Sequence, residues 1–339
     1  MLTALRYCPA PAKLNLFLHV TGQRPDGYHT IETVFDFIDL ADTLHFKLRN
    51  DGVILLKTPT PGVPPELDLT VRAARALAIE TSCELGVEIN VEKLIPIGGG
   101  LGGGSSNAAS TLMALNRLWG LNLSVAKLAG IGLKLGADVP VFVRGQPAHA
   151  TGIGEKLSPL KLPIQHYVLI SPPAAVPTGE IFGAPELTRD SKPITILGSS
   201  RSEWFASGRN DMQPVVVARY PQVGVALEAL DRASAAVSKI LNKAAKSAVV
   251  EAKSVNVKTH NVKSMSAKPA STGSVTDAKR VVSLSAARMS GSGACVFLPV
   301  ASAEIAEMVA EQARKADAGD VIVARSLPIH PLRDWSTGR

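Results

Sequence analysis

The stretch PIGGGLGGGSSNAAS, from Pro96 to Ser110, places six glycines within the seven positions 98–104. It lies between an alternating segment that is typical of a strand, GVEINVEKLI, and apolar residues at helical spacing. A helix N-terminus has unpaired N–H groups and a partial positive charge, and glycines let an anion approach them closely. The stretch therefore predicts a phosphate-binding loop, with a flexible linker as the alternative.

This loop does not match the common nucleotide-binding motifs. A Walker A loop ends in Gly-Lys-Ser or Gly-Lys-Thr, whereas Gly104 is followed by Ser105. The glycines formally fit the dinucleotide fingerprint, but no acidic residue occurs between Glu92 and Asp138 to hold a ribose. The catalytic sequences of protein kinases are also absent from the chain. A different class of phosphate loop is indicated.

Length and composition predict a globular protein. The chain has 339 residues, of which 46% are hydrophobic, and this length suits two domains. Its three cysteines lie far apart and form no metal or disulfide pattern, and no apolar segment approaches the length of a membrane span. We therefore expect a cytoplasmic protein without a membrane partner.

The net charge of +7 is concentrated in one segment. Residues 239–280 contain nine basic side chains against Glu251 and Asp277, so the rest of the chain is balanced in charge. The segment has no aromatic residue, and its composition allows little burial of apolar surface. We predict a mobile insertion with at most transient secondary structure, or alternatively a tether for an acidic partner, and no nucleic-acid partner.

Periodicity along the chain predicts both strands and helices. Alternation predicts strands over 12–20, parts of 34–57 and 166–173. Helices are predicted over 66–80 with Asp68 or Thr70 as N-cap, from the glycine loop to Gly120, from Ser124 to about Gly136, and over 302–316.

Four segments together resemble the GHMP kinases. The run 96–109 is similar to the ATP-phosphate loop of that superfamily. The segments PAKLNLFLHVTGQRPDGYH (11–29), LGADVPVFVRG (135–145) and RMSGSGACVF (288–297) resemble motifs of the branch that acts on 4-diphosphocytidyl-2-C-methyl-D-erythritol. The motifs occur in the expected order, and the resemblance covers nearly the whole chain except 239–280.

The resemblance implies an α+β fold of two domains. Residues 1–160 would form the N-terminal domain with the ATP loop, residues 161–339 a ferredoxin-like C-terminal domain, and the substrate would lie between them. The implied reaction transfers the γ-phosphate of ATP to the 2-hydroxyl of that small-molecule substrate, in non-mevalonate isoprenoid synthesis. A kinase of the mevalonate or homoserine type and a non-catalytic nucleotide-binding regulator remain alternatives, and both a monomer and a homodimer remain open.

The same resemblance implies two catalytic residues and a nucleotide loop. Asp138 matches the aspartate that accepts the proton of the alcohol, and Lys13 matches the lysine that orients it and stabilises charge on the transferred group. The structural alternatives are a helix cap for Asp138 and a solvated strand residue for Lys13. The residues implied to bind ATP are Pro96, Ile97, Gly98, Gly99, Gly100, Leu101, Gly102, Gly103, Gly104, Ser105 and Ser106.

Five further residues are implied to bind the substrate. Tyr28 would stack on the cytosine ring, and His29 would form a hydrogen bond with its edge. Phe182, which follows a Pro-Thr pair, would close the other side of the ring, with simple core packing as the alternative. Thr178 lies nearby in sequence, and Asn15 shares a strand face with Lys13, so both are expected to contact substrate.

Magnesium is expected to enter as MgATP. Ser106 is the nearest potential ligand, but the sequence shows no second carboxylate, and the other histidines have no pairing that suggests a metal site. No metal-binding residue is therefore assigned.

Overall fold

Two β-sheets organise the computed structural model, which describes residues 2–194, 208–258 and 286–336. The first sheet has six strands: β1 (Ala4–Gln23), β2 (His29–Arg49), β3 (Ile54–Leu56), β4 (Gly86–Glu92), β5 (Ala148–Thr151) and β6 (Lys156–Pro159). Their order is β3-β4-β2-β5-β6, and β1 also pairs with β2 in antiparallel register. The strands predicted over 12–20 and within 34–57 are confirmed.

Four helices accompany this sheet and form its hydrophobic core with it. They are α1 (Leu69–Thr81), α2 (Gly103–Leu118), α3 (Val125–Leu133) and α4 (Val139–Arg144). The α1 helix begins after Asp68, whose carboxylate accepts a hydrogen bond from the Thr70 backbone N–H at 2.8 Å. Ser124 caps α3 in the same way through the Lys127 N–H. These observations confirm the predicted helices and the first of the two alternative caps for α1.

The second sheet contains four antiparallel strands in the order β10-β7-β9-β8. These strands are β7 (His166–Ser171), β8 (Arg288–Met289), β9 (Val296–Val300) and β10 (Asp320–Arg325). Helices α5 (Thr178–Phe182), α6 (Gln213–Arg219) and α7 (Pro221–Lys258) lie between β7 and β8, and α8 (Ala303–Arg314) lies between β9 and β10. This β-α-β-β-α-β succession is that of a ferredoxin-like domain, as predicted.

A shared core joins the two sheets. Leu14 and Leu16 on β1 pack in one buried cluster with Tyr167 on β7 and Phe297 on β9. Alternate residues of β1 point to the other side of the sheet, which is why Lys13 and Asn15 face away from this cluster. The shared core thus fixes the strand that carries the predicted catalytic lysine.

Helix α7 includes the first half of the basic segment 239–280, which was predicted to be a mobile insertion. It runs to Lys258, so residues 239–258 are helical rather than transiently structured, and Leu241 packs against the core of the second sheet. Alanine and lysine favour helix, and here they extend a helix already anchored by buried Leu230 and Val237. The remainder of the predicted insertion, 259–280, lies outside the described residues. Within the described ranges, no helix combines the length and the apolar composition that crossing a membrane requires.

The C-terminal segment packs on the N-terminal half of the molecule. The Leu327 N–H donates to the Phe37 carbonyl at 2.7 Å, and the His330 N–H donates to the Gly145 carbonyl at 2.9 Å. Trp335 lies beneath the Arg117 guanidinium, 4.9 Å from the ring centroid. The predicted C-terminal domain, 161–339, includes this segment, but its contacts connect both halves of the molecule.

Candidate active site

The glycine loop lies where the sequence predicts it, between β4 and α2. Gly98, Gly100 and Gly102 have φ values of +73°, +72° and +72°, a left-handed conformation that other residues rarely adopt. Helix α2 begins at Gly103, directly after the last of these turns. The backbone N–H groups of the first helical turn are thereby presented at the end of the loop.

Some of these glycines are required by packing against a second loop, Ser290–Gly293, from the other half of the molecule. A Cβ atom on Gly100 would lie 2.1 Å from the Ser290 carbonyl oxygen, and one on Gly293 would lie 1.9 Å from the Gly100 nitrogen. The N–H of Cys295 also donates to the Gly99 carbonyl at 3.1 Å. The two loops therefore support each other through backbone contacts.

Two cavities lie on either side of the glycine loop. The outer cavity, of about 310 Å³, lies between the loop, Lys93 and the start of α1. The inner cleft, of about 400 Å³, lies between the loop, β1 and the Ser290–Gly293 loop. Pro96, Ile97, Gly99 and Leu101 line the outer cavity, Ser105 lines the inner cleft, and Gly98, Gly100, Gly102, Gly103 and Gly104 line both.

Lys13 lines the inner cleft and is buried, with 4% of its side chain exposed. Its ammonium group donates to Asn15 Oδ1 at 2.6 Å and to the Gly100 carbonyl at 2.9 Å, and it lies 5.5 Å from the centroid of the Phe35 ring. The alternative of a solvated strand lysine is thus excluded. These contacts hold the cation beside the glycine loop.

Asp138 lies opposite Lys13, with Oδ2 3.4 Å from Nζ. The residue occupies the N-cap position of α4, but its side chain makes no capping hydrogen bond in the described part of the chain. Pro140 at the start of α4 needs no N–H partner, so the carboxylate is left for the cleft. Asp138 therefore combines the cap position with a side chain directed to Lys13 and 30% exposed.

Asn15 connects Lys13 to the strand behind it. Its Oδ1 accepts from Lys13, and its Nδ2 donates to Thr33 Oγ1 at 2.9 Å. The Thr33 hydroxyl donates in turn to the Phe17 carbonyl. Asn15 lines the inner cleft as expected, but both ends of its amide are engaged, so it positions Lys13 as well as forming the cleft wall.

The predicted base-binding residues are only partly assembled. His29 and Phe182 stack directly on each other, with centroids 4.9 Å apart and planes inclined by 22°, which leaves no room for a base between them. Phe182 lines the inner cleft and also contacts the core of the second sheet. Tyr28 lies on the β1–β2 turn and is 63% exposed. The sequence did not indicate Arg189, which donates to His29 Nε2 at 3.0 Å.

Hydroxyl groups surround the remaining edge of the cleft. Thr178 Oγ1 lies 2.6 Å from Ser292 Oγ, and this contact joins α5 to the Ser290–Gly293 loop. Ser106 is fully buried at the base of α2, and its hydroxyl has no hydrogen-bond partner within the described ranges. Ser105, and not Ser106, therefore has the hydroxyl on the cleft wall.

Asp42 and Lys93 stabilise the entry to the glycine loop and were also missed by sequence reasoning. The buried Asp42 carboxylate forms an ion pair with Lys93 and accepts the N–H groups of Leu94 and Ile95 at 2.7 and 2.8 Å. Three such bonds offset the cost of burying the charge. Lys93 lines the outer cavity, where its cation is held close to the start of α2.

Comparison with known proteins agrees with this geometry. Residues 68–146 match the family model described as the GHMP kinases N terminal domain. The chain is 47% identical to a protein of Cupriavidus necator named 4-diphosphocytidyl-2-C-methyl-D-erythritol kinase, over 97% of this chain and 95% of that protein. A protein of Aromatoleum aromaticum with the same name is 45% identical over 98% of both chains. The chain belongs to this family of GHMP kinases.

Solved structures give the same family and the same fold. A crystal structure of 4-(cytidine 5'-diphospho)-2C-methyl-D-erythritol kinase matches 94% of this chain and 98% of its own, with a TM-score of 0.67 and 26% identity. The mevalonate kinase of L. major has a TM-score of 0.59 at 11% identity, covering 95% of this chain and 96% of its own, which shows the fold alone. The predicted two-domain GHMP kinase fold, the kinase class and the resemblance to this branch are confirmed.

Proposed function

We propose that the protein is an ATP-dependent kinase that phosphorylates the 2-hydroxyl of 4-diphosphocytidyl-2-C-methyl-D-erythritol, in the non-mevalonate route to isoprenoid precursors. The main support for this proposal is the Lys13–Asp138 pair on the wall of the inner cleft. The pair lies beside the glycine loop that directly precedes helix α2. Relatives that match nearly the whole chain and carry the name of this kinase support the choice of substrate.

ATP would bind with its base in the outer cavity and its phosphates along residues 96–106. Leu67, Val63 and Ile97 provide apolar surface there for a purine, and Lys93 provides a positive charge. The loop is shared by both cavities, so the γ-phosphate would be directed past the α2 N-terminus into the inner cleft. This arrangement would place ATP, the phosphoryl donor, and the alcohol, the phosphoryl acceptor, on opposite sides of the glycine loop.

Asp138 would accept the proton of the attacking hydroxyl group. It carries a carboxylate that caps no helix, faces the cleft and lies 3.4 Å from a buried cation. Lys13 would hold this carboxylate in place and stabilise the negative charge on the transferred phosphoryl group. A regulator that only binds nucleotide would have no need for this pair.

The acceptor would lie between β1, α5 and the Ser290–Gly293 loop. Asn15 and Thr178 provide polar groups along the inner cleft, and Phe182 provides a ring at its end. Tyr28 and His29 would bind the cytosine together with Phe182, once the exposed Tyr28 moves against the base. For the base to lie between Tyr28 and Phe182 with His29 at its edge, the present stack of His29 on Phe182 would have to open.

Magnesium would arrive on the ATP phosphates. The described residues hold no cluster of three or more His, Cys, Asp or Glu side chains that could bind a metal by itself. The Ser105 hydroxyl and the Asp138 carboxylate line the inner cleft, and this oxygen donor set fits an ion that takes most of its ligands from phosphate and water. The ion would neutralise phosphate charge, while the Ser105 hydroxyl would hold it near the loop.

The three cysteines of the chain are free thiols, which suits the reducing cytoplasm where we propose that the enzyme acts. Mevalonate-type and homoserine-type kinases share the fold but are below 20% identical in the structures compared, so their substrates gain no support from that likeness.

An ATP-consumption assay with three alcohols tests the proposed function. Purified protein is supplied with MgATP and with the cytidylyl-methylerythritol, mevalonate or homoserine, and the Asp138→Asn variant measures contaminating activity. Turnover of the cytidylyl compound alone is expected. Turnover only of mevalonate or homoserine would refute the assignment.

A further inference from the structure

Asn210 is a buried amide that holds the Ser290–Gly293 loop in place. Its Nδ2 donates to the carbonyls of Met289 at 2.9 Å and Gly291 at 2.7 Å, and its Oδ1 accepts from the Met212 N–H at 3.0 Å. Of the two ends of an amide, only the nitrogen can donate, so these partners also fix the orientation of the side chain. The residue is 4% exposed, so water cannot readily take its place at either carbonyl.

The backbone around Asn210 is attached to strand β1, which carries Lys13. The Leu18 N–H donates to the Arg209 carbonyl, and the Asp211 N–H donates to the Leu18 carbonyl, both at 2.9 Å. This segment therefore pairs with β1 as an isolated parallel bridge. Asn210 thus connects the strand of the lysine, in the N-terminal half of the molecule, to a loop of the C-terminal half.

The loop held by this amide lies directly against Lys13 and its partners. The Ser290 hydroxyl accepts from the Asn15 N–H and donates to the Gly100 carbonyl, both at 3.2 Å. The same carbonyl accepts from the Lys13 ammonium group. A Cβ atom on Gly291 would lie only 3.2 Å from Lys13 Nζ. A displacement of this loop would therefore also displace the groups that hold the lysine.

We propose that Asn210 is a positioning residue for phosphoryl transfer. It keeps Gly291 and its neighbours against Lys13, and so keeps the ammonium group facing the Asp138 carboxylate. The inference rests on the proposed function and adds to it a residue outside the motifs that resemble the family. Gly291 and Ser292 line the inner cleft, whereas no residue of their loop is among the described residues that line the outer cavity. The position of the loop therefore affects the transfer step and the alcohol rather than ATP.

The test makes the same substitution at two buried asparagines. Asn210→Asp replaces the donor by an oxygen that faces two carbonyls, which repel it. Asn116→Asp is the matched control, because Asn116 is 3% exposed, binds the N–H and the carbonyl of Leu123 through its amide, and lines neither cavity.

The two variants should differ in the rate of the transfer step. We expect Asn210→Asp to lower kcat per folded molecule by at least about 10-fold, since small misplacements of reacting groups slow a reaction strongly. The KM of ATP should change by no more than about twofold. Asn116→Asp should lose stability in denaturant unfolding but keep the kcat of its folded fraction.

A purely structural role for Asn210 predicts a different result. It would lower the amount of folded enzyme, while kcat per folded molecule would stay near the wild-type value in both variants, and this outcome would overturn the proposal. An equal fall of kcat in Asn116→Asp would also contradict it, as would a rise in the KM of ATP alone. If Asn210→Asp fails to fold, Asn210→Ser removes the amide without adding a charge, and Asn116→Ser is then its control.

Backbone hydrogen exchange, measured by mass spectrometry, provides a second measurement that does not depend on turnover. Peptides that cover 288–295 should exchange faster in the Asn210 variant than in the wild-type protein and should be unchanged in the Asn116 variant. Unchanged exchange in the Asn210 variant would overturn the proposal. If the wild-type protein phosphorylates none of the alcohols, the proposed function fails, and the attachment of the loop to Asn210 is still measured by this exchange.

Discussion

Lys13 Nζ lies 3.4 Å from Asp138 Oδ2, and the two residues come from different elements, strand β1 and the start of α4. The lysine is fixed by Asn15 and the Gly100 carbonyl, whereas the aspartate has no capping role among the residues described. The carboxylate therefore faces the cleft and is not committed to the helix that follows it.

Replacement of Asp138 tests this arrangement directly. Asp138→Asn should lower kcat by about 10²- to 10⁴-fold, because the amide cannot accept the proton of the alcohol. Binding of ATP, measured by calorimetry, should change by no more than about twofold. Asp317→Asn, at an exposed position with φ of +48° that asparagine tolerates, is the control. A kcat near the wild-type value would exclude Asp138 as the base.

A pair of glycine substitutions tests the backbone contact between the glycine loop and the Ser290–Gly293 loop. Gly100→Ala should destabilise the protein by at least about 2 kcal/mol, because the residue has a positive φ and the new Cβ would meet Ser290 and Gly293 backbone atoms. At Gly104 the nearest atom to a new Cβ is Leu69 Cδ1 at 3.3 Å, a flexible side-chain end. Gly104→Ala should therefore retain nearly full stability in thermal unfolding, and equal losses in the two variants would contradict the loop contact.

Removal of part of the basic segment should preserve catalysis. After this segment the chain contacts helix α7 again at Ala287, whose N–H donates to Asp231 Oδ1 at 2.7 Å. From Lys246 back to Asp231 the helix measures about 22 Å, which a flexible linker of about 10 residues can span. Replacing 247–282 by such a Gly-Ser linker should leave kcat within a few-fold of the wild-type value.

A longer deletion is the matched comparison for this variant. Starting the replacement at residue 241 also removes Leu241, which packs against the core of the second sheet, and should cost about 1–2 kcal/mol of unfolding free energy. Loss of cooperative unfolding already in the 247–282 variant would show that the removed residues are part of the packed structure.

Buried His330 predicts a pH dependence of stability. Complete burial lowers the pKa of His330 to about 3, well below the unfolded value of 6.5. Its neutral ring accepts from the Leu332 N–H, lies 3.3 Å from Ser110 Oγ and packs edge-on against Phe37. Between pH 6.5 and 3 the unfolded state binds the extra proton, so stability rises with pH and is lost as pH falls, by up to roughly 5 kcal/mol in total.

The variant His330→Asn keeps an acceptor for Leu332 but removes the titration. Denaturant unfolding from pH 7 to 4 should show a smaller loss of stability in this variant than in the wild-type protein. His166→Asn, at a partly exposed strand end, controls for the loss of a histidine. An identical pH slope in the wild type and His330→Asn would show that His330 does not carry the effect.

The sequence alone determined those features that depend only on neighbouring residues, such as the turns of the glycine loop and the N-cap of α1. The positive-φ glycines at 98, 100 and 102 lie at the start of a helix because no other residue adopts those turns at so little cost, and Asp68 caps α1 through its nearest N–H groups. The family motifs also predict Lys13 and Asp138 as catalytic residues, but spacing in the chain says nothing about the distance between them, which the structure gives as 3.4 Å.

Only the tertiary structure shows which residues that are distant in sequence contact each other, and which residues those contacts require. Gly100 and Gly293 come from the two halves of the molecule and contact each other through their backbones. The sequence suggests that the glycines of the loop are needed only for phosphate to approach, but at position 100 a glycine is also needed for this packing. Arg189 has no recognisable motif, since the histidine to which it donates a hydrogen bond lies 160 positions earlier in the chain. Sequence analysis also missed the helix over 239–258, because its cause lies outside that segment. Composition indicates only how much apolar surface a segment can bury. Once a helix is formed and packed over its preceding residues, adding further residues to it costs little free energy.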